Sequence, residues 1–169
     1  TQFFQVFLIE KFNYGQSQIG NLFAYIGLWI ALAQGLIARP VASRVVPEKV
    51  LSFSLFCLAL VFPLLLIPDK PAYLFAILPF LAIFQGLTQP NTAAIISNSG
   101  NEQSQGEILG INQSVQAAAM AVPPIIAGLI SSINVGLPIA VAGLCTLLSW
   151  IVFMFIYRRQ KRVMFEEAA

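Results

Sequence analysis

The sequence predicts an all-α polytopic membrane protein of six helices, the first of them truncated. Two observations carry this expectation. Charge is scarce, with 58% of the 169 residues hydrophobic and only 9% charged, and the apolar residues gather into runs long enough to cross a bilayer. A soluble domain carries about 25% charged residues, because water must solvate its surface. Nine Lys and Arg, seven Asp and Glu, and a mean hydropathy of +0.81 leave lipid as the solvent. Disorder is excluded for the opposite reason, since apolar side chains abound.

A bilayer core of about 30 Å needs about 20 mostly apolar residues in a helix. Five stretches meet this: Ile19–Ala38, Val50–Ile67, Ala72–Ser97, Glu107–Ile133 and Pro138–Tyr157. Ser17 is the expected N-cap of the first. Pro68-Asp69-Lys70-Pro71 reads as a compact turn, with Pro71 suited to the first turn of the next helix. Asn98-Ser99-Gly100-Asn101 and Asn134-Val135-Gly136 are the remaining breaks. Thr1–Glu10 is apolar and aromatic but half the spanning length, and it lacks the basic flank and small-residue cleavage site of a signal peptide. It reads as the second half of a helix. The expected organisation is a transmembrane bundle over residues 1–157 and a cytoplasmic basic tail over residues 158–169.

Alternating helices divide the connections into two sets. One holds Arg39, Arg44, Lys49 and the four basic residues of Arg158-Arg159-Gln160-Lys161-Arg162, which is seven of the nine. Only Lys11 and Lys70 fall on the other side. The excess of Lys and Arg in cytoplasmic loops then puts the C-terminus in the cytoplasm. After a membrane helix, the basic tail reads as a topology determinant rather than a nucleic-acid or calmodulin site.

Composition also removes chemistry. Without His there is no imidazole base, no His metal ligand and no His-based triad. Cys57 and Cys145 lie far apart in apolar runs, in no metal or redox spacing, and read as buried small hydrophobes. With no paired Asp and no catalytic constellation at depth, the expectation is a protein that is not an enzyme, with no cofactor and no metal.

Polar residues on a membrane helix mark protein contacts or water-filled space. Gln85, Thr88, Gln89 and Thr92 recur at i, i+3, i+4 and i+7, a stripe from mid-bilayer to the cytoplasmic end, in a helix bent by Pro79 and Pro90. Phe80 and Phe84 adjoin it in sequence, and Asn112, Gln113 and Gln116 lie at comparable depth on the next helix. Two readings stand: amides bonding between neighbouring helices, or a wet cavity that contacts a solute. Small residues repeat at intervals of four in Gly27, Ala31 and Gly35 and again in Gly110, Ser114 and Ala118, which permits close helix approach. No ionisable residue lies in the middle of a complete span. Glu107 suits the positive end of its own helix, and Glu10 lies at the outer interface or faces a pore.

Three groups of motifs give a resemblance over essentially the whole chain. They are Phe12-Asn13-Tyr14-Gly15-Gln16-Ser17-Gln18-Ile19-Gly20; Gly35-Leu36-Ile37-Ala38-Arg39 followed by Arg44; and Gln85-Gly86-Leu87-Thr88-Gln89-Pro90, Gln105-Gly106-Glu107-Ile108-Leu109-Gly110 and Pro123-Pro124 to Gly128. In order and spacing they resemble the C-terminal six-helix half of a twelve-helix major facilitator superfamily transporter, helices seven to twelve with seven partial. The nearest likeness is to drug:proton antiporters of the tetracycline-efflux type. The sequence departs where relatives often show Gly-Pro and it has Pro123-Pro124, and where its basic loop lacks a glycine.

The resemblance implies two six-helix halves rocking about a central solute site. Phe80, Phe84, Gln85, Thr88, Gln89, Gln113 and Gln116 would line the cavity. Arg39, Arg44 and Glu107 would form the cytoplasmic gate, and the two small-residue stripes would meet the N-terminal half. Partners are then a small-molecule substrate, protons, that other half and the lipid of a bacterial inner membrane. The expected function is proton-coupled export of an amphipathic or lipophilic molecule, neutral or cationic because no Lys or Arg sits at mid-depth. The alternatives are uptake or facilitated diffusion of a metabolite, and a non-transporting assembly protein.

Overall fold

A computed structural model describes residues 2–98, 105–131 and 133–167. They form six helices: α1 Gln2–Phe12, α2 Gln16–Ala42, α3 Pro47–Leu64, α4 Pro71–Asn98, α5 Gln105–Ser131 and α6 Leu137–Glu167. No strand occurs among the described residues. Four helices, α2, α3, α4 and the Leu137–Tyr157 part of α6, are long and apolar enough to cross a membrane. At 1.5 Å per residue the 27 residues of α5 also exceed a bilayer core.

Helix starts fall within three residues of the sequence expectation, and local chemistry explains the offsets. Ser17 is not the N-cap of α2. Gly15 is, in an extended conformation, and its N–H donates to Gln18 Oε1 at 3.0 Å. The reason is the preceding turn: Asn13 ends α1 at φ 54°, with its N–H on Ile9 O at 2.9 Å. Asn tolerates this left-handed position, and the chain is ready to restart a helix two residues later. Pro47 opens α3 at its first turn, after Val46 at ψ 141°, as a proline requires of its predecessor. Pro71 opens α4 with a 3₁₀ turn over Pro71–Tyr73. The α6 helix runs on to Glu167 through the expected tail. Ser99-Gly100-Asn101 of the expected break lie outside the described residues.

The core forms on α3 and α4. Leu51, Ser54, Leu58 and Val61 are all buried on α3, as is Leu65 at its C-cap, an alternating three-four spacing that keeps one seam toward a neighbouring helix. Leu74, Leu78, Leu81 and Ala82 of α4 join the same cluster, as do Ile19, Leu22 and Ile26 of α2, Phe7 and Leu8 of α1, and Ile139 of α6. In contrast, α5 has no buried residue among those described. Cys57 is half-buried and Cys145 exposed. The expectation of two buried thiols is therefore corrected for Cys145, which lies on the outer face of α6.

Two glycines set helix separations. A Cβ on Gly86 would lie 3.3 Å from Ala33 Cβ and 3.4 Å from Ile30 O, so α4 crosses α2 against its backbone. A Cβ on Gly143 would lie 3.1 Å from Phe62 Cβ, where α6 meets α3. Gly27, Gly35 and Gly110 face open space. Replacing Gly86 by Leu is expected to destabilise the bundle by about 1–3 kcal/mol through overpacking. Gly20, with no neighbour within 4 Å, should accept Ala with equal or better stability. Thermal unfolding of the purified variants in detergent checks both.

Candidate functional site

The polar stripe on α4 resolves into satisfied and unsatisfied members. Thr88 Oγ1 donates to Phe84 O and Thr92 Oγ1 to Thr88 O, each at 2.8 Å, and both residues are half-buried. Such back-bonding serves hydroxyls in a helix that has no water to offer. Gln85 and Gln89 are exposed, and among the described residues neither amide has a hydrogen-bond partner. Gln113 and Gln116 on α5 are likewise exposed, with Asn112 half-buried beside them. Phe84 is engaged elsewhere, its ring 5.9 Å from that of Phe53 on α3. Phe80 is exposed, and at 100° per residue it lies roughly 140° around the helix from Gln85.

Proline shapes this helix, and one of its losses is made good from another element. Pro79 has no N–H for Phe75 O, four residues earlier. Tyr25 Oη of α2 donates to that carbonyl at 3.0 Å, with its ring 5.4 Å from that of Phe75. The bend that carries Gln85 and Gln89 is thus tied to α2. A matching irregularity sits in α2, where Ala33–Ala38 forms a wide π turn immediately before Arg39 and Pro40. The Pro40 ring would crowd Leu36 O in a regular helix, and a wider turn gives it room.

Arg39 and Arg44 are exposed at the end of α2, as is Glu107 in the first turn of α5. Among the described residues these three make no ion pair. Ala31, Ser114 and Ala118 are exposed, and Ser114 Oγ donates to Gly110 O at 3.0 Å. Both small-residue stripes therefore face out from the part of the bundle that is described.

Sequence reasoning missed several polar residues. Asn91 is buried and donates through Nδ2 to Leu87 O at 2.6 Å; it falls outside the four-residue stripe, although an amide beside Pro90 is a signal. Ser54 Oγ and Trp29 Nε1 are buried without a partner. Trp150 Nε1 donates to Ser52 Oγ, which donates to Met154 Sδ, both at 3.1 Å, so α6 is joined to α3. No spacing rule in the sequence links residues about a hundred positions apart.

A bundle of bent apolar helices with uncharged amides exposed at depth is the architecture of a polytopic membrane transporter. The family model described as Major Facilitator Superfamily matches residues 2–167, and the chain belongs to that superfamily of membrane-embedded secondary transporters. No curated protein and no solved structure matches the chain.

Removing the Tyr25 hydroxyl as Tyr25→Phe is expected to destabilise the protein by about 1 kcal/mol. Pro79→Ala restores a backbone donor to Phe75 O, so in that background the same change should cost clearly less. A double-mutant cycle on thermal unfolding reads the coupling.

Proposed function

We propose that this chain is the C-terminal half of a proton-coupled exporter of amphipathic or lipophilic small molecules, working by alternating access. The observation that carries the reading is the pair Gln85 and Gln89: two amides deep in a spanning helix, exposed and unpartnered, while the threonines of the same stripe bond to their own backbone. An amide left in hydrocarbon costs several kcal/mol, so these groups are built for water or a solute. Gln113 and Gln116 of α5 would complete the lining with Thr88. Phe84 would contribute apolar surface through the edge not packed on Phe53, whereas Phe80, also expected in the lining, lies on the other side of the helix. Bent helices with polar faces near the bilayer midplane are where transporters hold solutes.

The open stripes Gly27, Ala31, Gly35 and Gly110, Ser114, Ala118 support contact with an N-terminal six-helix half, since glycine and small residues let backbones approach closely. The absence of charge at mid-span in the complete helices fits a neutral or cationic solute, and in this reading the coupling carboxylate would lie in the other half. In this reading the membrane is a bacterial inner membrane, and residues 158–169 lie in the cytoplasm with Arg39, Arg44 and Glu107.

Replacing Gln85 and Gln89 together by Leu should lower transport by about tenfold or more, the equivalent of losing one good hydrogen bond to solute. Expression and insertion should persist. Uptake of a labelled amphipath into inverted vesicles reads the effect, and unchanged transport would remove these residues from the site. For the gate, Glu107→Arg should impair transport, and combining it with Arg39→Glu or Arg44→Glu should restore it. Failure of both combinations in the same vesicle assay would separate Glu107 from the arginines.

A further inference from the structure

A cleft of about 570 Å³ lies away from the polar stripe, at the end of the bundle where the α1–α2, α3–α4 and α5–α6 turns meet. Its walls include Phe7, Leu66, Val135 and Leu137, with Glu10 and Lys11 as its charged residues. The volume is that of a small-molecule pocket. The Lys11 ammonium is held within reach of it by three groups from the protein itself. It donates to Leu66 O at 2.7 Å, and it stands 5.5 Å from the ring centres of both Phe7 and Phe12. Leu66 follows the end of α3, where carbonyls lack helical partners and carry partial negative charge. Aromatic faces attract a cation within about 6 Å. Glu10 is exposed, and its carboxylate makes no ion pair among the described residues.

We infer that this cleft is an ammonium-binding site for amphipathic organic amines, and that Lys11 is its built-in occupant. A primary ammonium from solution would take the place of the Lys11 head. It would donate to Leu66 O and cover Phe7 and Phe12, while the apolar walls take the ligand's carbon skeleton and Glu10, beyond ion-pair distance of the Lys11 head, adds a longer-range attraction. Lys11 is a tethered competitor, and short tethers give effective concentrations of about millimolar. A free amine therefore binds weakly until the side chain swings away. Phe7 is held in place by the core and by the rings of Phe4 and Phe12, so the aromatic wall of the site is preformed. In the orientation proposed above the cleft opens outward, yet the site itself depends only on this local chemistry.

The test uses the full-length protein in lipid nanodiscs, where both faces are reachable, and a dansyl-tagged alkylamine as fluorescent probe. Lys11→Ala should tighten probe binding by about tenfold, and Glu10→Gln should weaken it by a smaller factor, about twofold, in either background. A trimethylated form of the probe keeps its charge but cannot donate to Leu66 O, and should bind less well. If Lys11→Ala fails to fold, Lys11→Met, which removes the charge and retains bulk, carries the same expectation with a smaller gain. A lower melting temperature with unchanged probe affinity in both Lys11 variants would overturn the proposal and leave Lys11 as a clamp. Loss of probe binding in Gln85→Leu/Gln89→Leu would also overturn it, by moving the signal to the polar stripe. Retention of binding there, with transport lost, supports the cleft and leaves the export reading to its own assay.

Discussion

Lipid offers no hydrogen bonds, and this constraint governs the structure. Every backbone N–H and C=O at depth needs a partner from the protein, so the chain is helical almost wherever it is apolar. Prolines make the constraint visible, because each withdraws a donor. At Pro79 the deserted Phe75 carbonyl is taken up by Tyr25 Oη from α2. Before Pro40 the helix widens into a π turn over Ala33–Ala38. Along α4 the hydroxyls of Thr88 and Thr92 turn back onto their own helix. The backbone loss at Pro79, next to the polar stripe, is therefore made good from a neighbouring element.

The same solvent removes the usual driving force for core formation, since lipid tails are as apolar as Leu. Packing has to hold the helices by shape. The regular seam Leu51, Ser54, Leu58, Val61 and Leu65 does so on α3, and Gly86 and Gly143 let α4 and α6 come close enough for dispersion contacts. Ser54, fully buried in that seam, is small enough to sit between helices where Leu would push them apart. By the same standard α5 is held weakly, with no buried residue among those described. This helix carries small residues on one side and amides on another, faces to which the proposed second half would bring neighbours.

The spans were legible in the sequence because run length and bilayer thickness are linked by helix rise alone. The start at Pro71 was close to expectation since proline's fixed φ marks a helix beginning, while the same signal at Pro47, three residues before the expected Val50, was not read. Ser17 misled because capping depends on the preceding backbone: a left-handed Asn13 delivers Gly15, not Ser17, to the helix start. The stripe Gln85, Thr88, Gln89, Thr92 was legible from helical spacing, but its division into bonded threonines and free amides was not. That division depends on which carbonyl each side chain can reach, a property of rotamers and bends. Tyr25 with Phe75, Trp150 with Ser52, and Lys11 with Leu66 were illegible for a common reason. Each joins elements far apart in the chain, so only the assembled bundle brings them together.

An uncharged lining also has consequences for what the superfamily member can carry. A carboxylate or ammonium at mid-depth would have to shed its hydration or hold a permanent water cavity, at a cost that rises steeply with burial. Amides cost less to desolvate and can both donate and accept, so one pair such as Gln85 and Gln89 can serve solutes of different hydrogen-bonding character. Selectivity from such a surface is modest, because it offers no strong charge to match and none to repel a cation. In the proposed cavity such a lining would favour breadth toward neutral and cationic amphipaths, with the rim of Phe84 offering apolar area. Charge itself is confined to the ends of the bundle, where water lowers its cost: Lys11 and Glu10 at one end, and Arg39, Arg44 and Glu107 at the other.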